Sequence, residues 1–212
     1  MPPPAMRPFA LLVVLATLAA CGDRQPATAE PDAEATPPQA AETPTDSSEA
    51  RPATGTTTIT VEGEPQEVPV RLVRFDDLDL PFSTYVPEGW TDDVLGSGEG
   101  AAAFIATSDG PDRGFVSVFV PSEPNREGIT EIARAAVESR GEVLPMEDPA
   151  DWVEEGYTFS GIDEAGAVRI GSHAGVPFYV LEAYPVEMGD GFPPRAQLVV
   201  DRLRWADDGT GL

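Results

Sequence analysis

Between Gly22 and Gly55 the chain runs for 34 residues without one Ile, Leu, Val, Met or aromatic side chain. The stretch is mostly Ala, Pro, Thr and Glu, and it cannot bury enough apolar surface to offset the entropy lost on ordering it. Any packed core must therefore come from residues 57–212, which make up 156 of the 212 positions. That length fits one ordinary domain and buries roughly two thirds of its unfolded surface, so no disulfide is required. The preceding segment, 21–56, reads as a disordered tether. Its low-apolar run would span about 30 Å as a flexible coil and about 100 Å in polyproline form.

Ahead of the tether stand one cation, Arg7, an apolar run over 9–18, and then small residues. A cation, a short apolar run and a small-residue site form the order of a secretory signal peptide, here 1–20. The run is too short to cross a bilayer, which takes roughly 20 apolar residues. It ends in Leu18-Ala19-Ala20-Cys21, on the only cysteine of the chain. These four residues resemble the lipobox of bacterial lipoprotein precursors. The resemblance implies cleavage between Ala20 and Cys21, lipid on the Cys21 thiol and acylation of the new amino terminus. Several acyl chains would satisfy the need for at least two membrane signals in a stable anchor. The expected location is the cell envelope, on the periplasmic face or outer membrane. Gly22 after the cysteine resembles lipoproteins sent on to an outer membrane.

The formal net charge is −24, and loss of Arg7 with the leader takes the mature form to −25. So acidic a surface opposes nucleic acid and anionic lipid, and leaves neutral, apolar or cationic partners. All thirteen basic residues are arginine. A genome rich in arginine codons and a saline habitat both account for that pattern.

Within 57–212 the periodicities alternate. β-Branched runs at 58–61 and 68–73 flank a Glu62-Gly63-Glu64-Pro65 turn and predict a hairpin. Further strands are expected at 82–87, 101–107, 115–121, 157–160, 166–172 and 176–184. The last two form a hairpin turned at Ala174-Gly175. Phe178 and Val180 fall on one face of 176–184, Tyr179 and Leu181 on the other, which is the mark of a central strand buried on both sides. Ile129, Ile132, Ala133, Ala136 and Val137 make one helical stripe, closed by Arg140 and Gly141. Ala196, Val199, Val200 and Leu203 make a second, started near Asp190, Pro193 and Pro194, with Trp205 packed at its end.

Helices laid on a mainly antiparallel sheet give an α+β class. The run Phe82-Ser83-Thr84-Tyr85-Val86-Pro87-Glu88-Gly89-Trp90 and the closing helix from Ala196 to Trp205 resemble the matching segments of PsbP-like domains, over Val70 to Trp205. That resemblance implies an α/β/α sandwich used for binding and assembly, with no catalytic residues to carry over.

Chemistry-bearing residues are sparse. Gly96-Ser97-Gly98-Glu99-Gly100 leads into a strand rather than a helix and carries Glu99, so it reads as a connector and not a phosphate cradle. His173 is the only histidine, which excludes zinc sites built on two imidazoles. Its neighbour Ser172 points to the opposite face of a strand, so the pair makes no dyad. Asp76, Asp77 and Asp79 offer hard oxygen ligands to calcium, without the glycine and distal glutamate of an EF-hand. Glu154 and Glu155 form a similar pair. Carboxylates about 5 to 10 Å apart also suit glycoside hydrolysis, but among so many acids such a spacing arises by chance. Of the aromatic residues, Trp152 is the first candidate for an exposed position.

The sequence thus points to a membrane-anchored envelope lipoprotein with a non-enzymatic binding or assembly domain. It would be tethered through Cys21 and matched to an envelope protein partner, with no cofactor, metal or catalytic residue assigned. The alternatives are a carboxylate-dependent hydrolase acting on envelope glycans, or a small-ligand or calcium-binding module.

Overall fold

A computed structural model describes residues 51–212. Cys21, the leader and most of the tether lie outside the described residues. The chain forms β1 (Thr54–Val61), β2 (Glu64–Phe75), β3 (Phe82–Pro87), β4 (Thr91–Gly96), β5 (Gly100–Ala106) and β6 (Phe115–Pro121) before its first helix, α1 (Arg126–Glu138). There follow β7 (Glu142–Pro145), β8 (Glu155–Ser160), β9 (Glu164–His173) and β10 (Val176–Pro185), then α2 (Phe192–Asp201) and the two-residue β11 (Arg204–Trp205).

Two antiparallel sheets result. The smaller has the order β1-β2-β3-β11, and the larger β4-β5-β6-β10-β9-β8-β7. Two hairpins set the register through two-residue turns with positive φ at both positions. These are Glu62 (51°) and Gly63 (83°) between β1 and β2, and Ala174 (49°) and Gly175 (81°) between β9 and β10. Such turns match the right-handed twist of the strands they join. Both turns lie where the sequence predicts them, with Glu64 opposite Val61 and Val176 opposite His173.

The main core lies between the sheets. Val73, Phe75, Phe82 and Val86 of the smaller sheet meet Ala103, Ile105, Val116, Val118, Phe178 and Val180 of the larger. Trp205, 3% exposed, sets its ring edge-on to Phe82 and Phe178 at 5.9 and 5.0 Å. A second core covers the opposite face of the large sheet, where Ile129, Ala133 and Val137 of α1 pack on Phe119, Val168, Ile170, Tyr179 and Leu181. Asn125 starts that helix by accepting a hydrogen bond from the Gly128 N–H.

The architecture is therefore a β-sandwich, and the α+β class with its α/β/α sandwich of PsbP-like type is corrected. A second sheet, not a helical layer, faces the large one, because β1, β2 and β3 pair with one another instead of extending it. α2 sits within this frame: Ala196, Val199 and Val200, with Leu203 just after the helix, join the main core, while Leu198 packs on Val68 and Val70. The buried Thr84 hydroxyl donates to the Val199 carbonyl at 2.5 Å and pins α2 to β3. The closing Leu203-Arg204-Trp205 is not a helix end. Arg204 and Trp205 pair with Ser83 and Phe82 as β11. The spacing of apolar residues identifies a helix, but it does not say which layer the helix joins.

β10 lies fourth of seven strands, and its residues from Pro177 to Ala183 are all buried. Burial of Tyr179, with the Glu99 charge second, pushes its phenol up to about 12. Below pH 10 the phenol is neutral in folded and unfolded chains alike, so this stabilising contribution is fully present. Between pH 10 and 12 the unfolded chain ionises first, and stability falls as pH rises. The linked loss approaches about 3 kcal/mol at the upper end. Alkaline denaturation curves measured from pH 9 to 12 are expected to flatten in Tyr179→Phe.

Candidate functional site

Strands lie about 4.8 Å apart, so seven of them span about 29 Å and four about 14 Å. The smaller sheet cannot cover the larger. Its core contacts reach β5, β6 and β10 and leave out the corresponding face of β7, β8 and β9. Directly opposed residues of antiparallel strands share a face. Leu144, Thr158, Ala167 and Glu182 thus form one row across that uncovered end, and Glu142, Ser160, Ala165 and Tyr184 the next. The result is an open shelf with a recess of about 260 Å³ between Leu144, Thr158, Ser160 and Tyr184.

Apolar side chains mark the shelf and its end. Leu144 is 55% exposed, Ile162 at the β8–β9 turn 94%, and Val186 46%. The Val186 N–H donates to the Asp163 carbonyl, which holds the two tips together. Where the shelf meets the core, Arg169 pairs with Glu182 at 2.5 Å, both largely buried. Burial first, and the Glu182 charge second, raise the Tyr184 phenol above its ordinary value. The arrangement offers an apolar rim around a hydroxyl-bearing floor.

The residues singled out in the sequence are scattered. Asp76, Asp77 and Asp79 point outward from the β2–β3 turn, while Leu78 between them and Leu80 after them are buried in the core. Glu154 faces Arg126 at 3.0 Å and accepts from the Ser172 hydroxyl, and Glu155 accepts from the Tyr157 hydroxyl. Both glutamates are thus tied into packing around the start of α1 and β8. The glycine-rich connector closes the β4–β5 hairpin, with Ser97 N–H donating to the Gly100 carbonyl at 2.7 Å. Trp152 is not an exposed aromatic. It is partly buried and stacks on Phe178 with ring centroids 5.8 Å apart.

His173 ends β9 and lies flat on Trp205 at 4.6 Å, with Nε2 2.9 and 3.0 Å from the two Asp207 oxygens. Asp208 stands beside them, and its carboxyl is held below the usual range by the N–H and hydroxyl of Thr210. Among the described residues this is the one group of three side chains close enough to share a metal ion, with ligand atoms within 4.8 Å of one another. One imidazole with two exposed carboxylates is a sparse donor set, and its contacts already serve as a clasp that fastens the C-terminal segment to β9.

Leu144, Ile162, Val186 and the Arg169–Glu182 pair escaped the sequence reading. Ile162, an apolar residue between Gly161 and Asp163 in a turn, was the available signal.

The shelf and the pair beneath it are expected to separate in mutagenesis. Glu182→Gln leaves Arg169 buried without its counter-charge and should lower unfolding stability in urea by about 3 kcal/mol. Leu144→Ser removes no buried contact and should stay within about 0.5 kcal/mol of the parent.

No family model matches the chain, and no curated protein or solved structure is detectably similar to it.

Proposed function

We propose that this protein is a lipid-anchored envelope lipoprotein whose β-sandwich is a non-enzymatic binding or assembly domain. The observation that carries the reading is Cys21, the sole cysteine, placed directly after a short apolar run and Leu18-Ala19-Ala20. A thiol in that position suits lipid attachment, and the long Ala/Pro/Thr/Glu segment behind it suits a tether that lets the domain reach a partner away from the bilayer. The shelf of β7, β8 and β9 supplies the surface. Its apolar rim and the acidity of the whole chain together suit a protein partner with an apolar patch bordered by cations.

Two outcomes follow. In fractionated cells the wild-type chain is expected with membranes, its mature amino-terminal peptide heavier by acyl chains on Cys21. Cys21→Ser should be found soluble and unmodified. A Cys21→Ser chain that still partitions wholly with membranes, together with a wild-type chain carrying no lipid, overturns the anchor. On the domain, Leu144→Asp with Ile162→Asp should leave the melting temperature within a few degrees of the parent while abolishing recovery of a stoichiometric partner in affinity capture from mildly solubilised membranes.

A further inference from the structure

A cleft of about 300 Å³ opens beside the N-terminal end of α2, lined by Trp90, Thr107, Glu187, Met188, Gly191, Phe192 and Arg195. Its accessible aromatic wall is Trp90, backed by Phe192, which is 3% exposed. Trp90 and Phe192 stack almost parallel, 4° between planes and 5.4 Å between centroids, and Tyr184 backs Phe192 at 5.1 Å. The Phe192 ring is seated against Gly114, where any Cβ would come within 2.4 Å of it.

Arg195 is the second feature. In a chain with 37 acidic residues against 13 basic ones, Arg71, Arg126, Arg134, Arg140 and Arg169 each pair with a carboxylate. Arg195 pairs with none among the described residues, nor do Arg51, Arg74, Arg113, Arg202 and Arg204, and of these six it is Arg195 that lines the Trp90 cleft. Its guanidinium is instead steadied by the Gly191 carbonyl at 2.7 Å and the Gln66 side-chain oxygen at 3.3 Å. These two contacts orient the fork and leave donors to spare, since a guanidinium carries five N–H groups. Arg202 also borders a recess, between β1 and α2, but there Asp201 stands beside it and no aromatic ring lines the wall. In the Trp90 cleft the only carboxylate is Glu187, which is exposed and makes no ion pair with Arg195.

We propose that this cleft binds a small zwitterion with an apolar side group, namely a free apolar or aromatic α-amino acid. The carboxylate lies on Arg195, the ammonium faces Glu187, and the side group rests on Trp90 and Met188. A cation and an anion lining one cleft beside an indole ring are complementary to a molecule that carries both charges at one end and an apolar body at the other. The volume is at the small end of ligand pockets, which run from about 300 Å³ upward, and suits a ligand of that size. The cleft is a site separate from the docking shelf, and its failure leaves the anchor and the shelf untouched.

The test is isothermal titration of the full chain in mild detergent with L-phenylalanine, L-phenylalanine methyl ester and 3-phenylpropionate. The zwitterion should bind at least about tenfold more tightly than either single-charge analogue, as a charge-assisted hydrogen bond to each end predicts. Arg195→Gln should remove the preference over the ester. Glu187→Gln, an exposed change that leaves the fold intact, should remove the preference over phenylpropionate. No binding of L-phenylalanine by the parent at about 20 mM, or equal affinity for all three probes, overturns the proposal. So does an unchanged preference in Glu187→Gln.

Discussion

The whole domain is arranged around burial of one strand on both of its faces. β10 presents Phe178 and Val180 to the space between the sheets, and Tyr179, Leu181 and Ala183 to α1. A strand apolar on both sides must lie at the middle of a sheet with cover above and below. β6 and β9 take its two edges, α1 closes one face, and the small sheet with α2 closes the other. Phe119 stacked on Tyr179 at 5.0 Å joins this strand to its neighbour across the helix side. The single buried charge on β10, Glu182, is matched by Arg169 on β9, so the strand carries an ion into the interior only together with its counter-ion.

Cover is sufficient at that centre and runs out toward one end. A helix of 13 residues is about 20 Å long and a four-stranded sheet about 14 Å wide, whereas the large sheet measures about 29 Å across. The uncovered remainder is the shelf. The cleft beside Trp90 has a different origin: the chain leaving β10 crosses toward α2 through Glu187 and Met188, and two prolines after Phe192 fix the way the helix starts. Both recesses are by-products of how a wide sheet is roofed, and both present apolar groups on an otherwise acidic molecule.

Much of this was legible in the residues. The β9–β10 hairpin, its Ala174-Gly175 turn, the two-faced character of β10 and the stripe of α1 all follow from periodicity and turn chemistry. β4 and β7 were not foreseen, and the reason is physical. They are the two edges of the large sheet, and edge strands are exposed, short or charged, as Thr91-Asp92-Asp93-Val94 and Glu142-Val143-Leu144-Pro145 are. The partition into two sheets is equally hidden, since strand periodicity does not say which strands pair, and the same pattern of strands and helices fits helices laid on one sheet. Site residues fared worse. Arg195 carries no sequence signal, because whether an arginine meets a carboxylate or lines a cleft is a property of the folded chain.

Amide hydrogen exchange over residues 51–212, resolved by strand, tests the central claim most directly. Amides of β10 should be the slowest, exchanging only through global unfolding, with β6 and β9 close behind and the edge strands β4 and β7 orders of magnitude faster. Protection in β10 no greater than in β7 would contradict the account, because the strand could not then be the buried centre on which both cores are built.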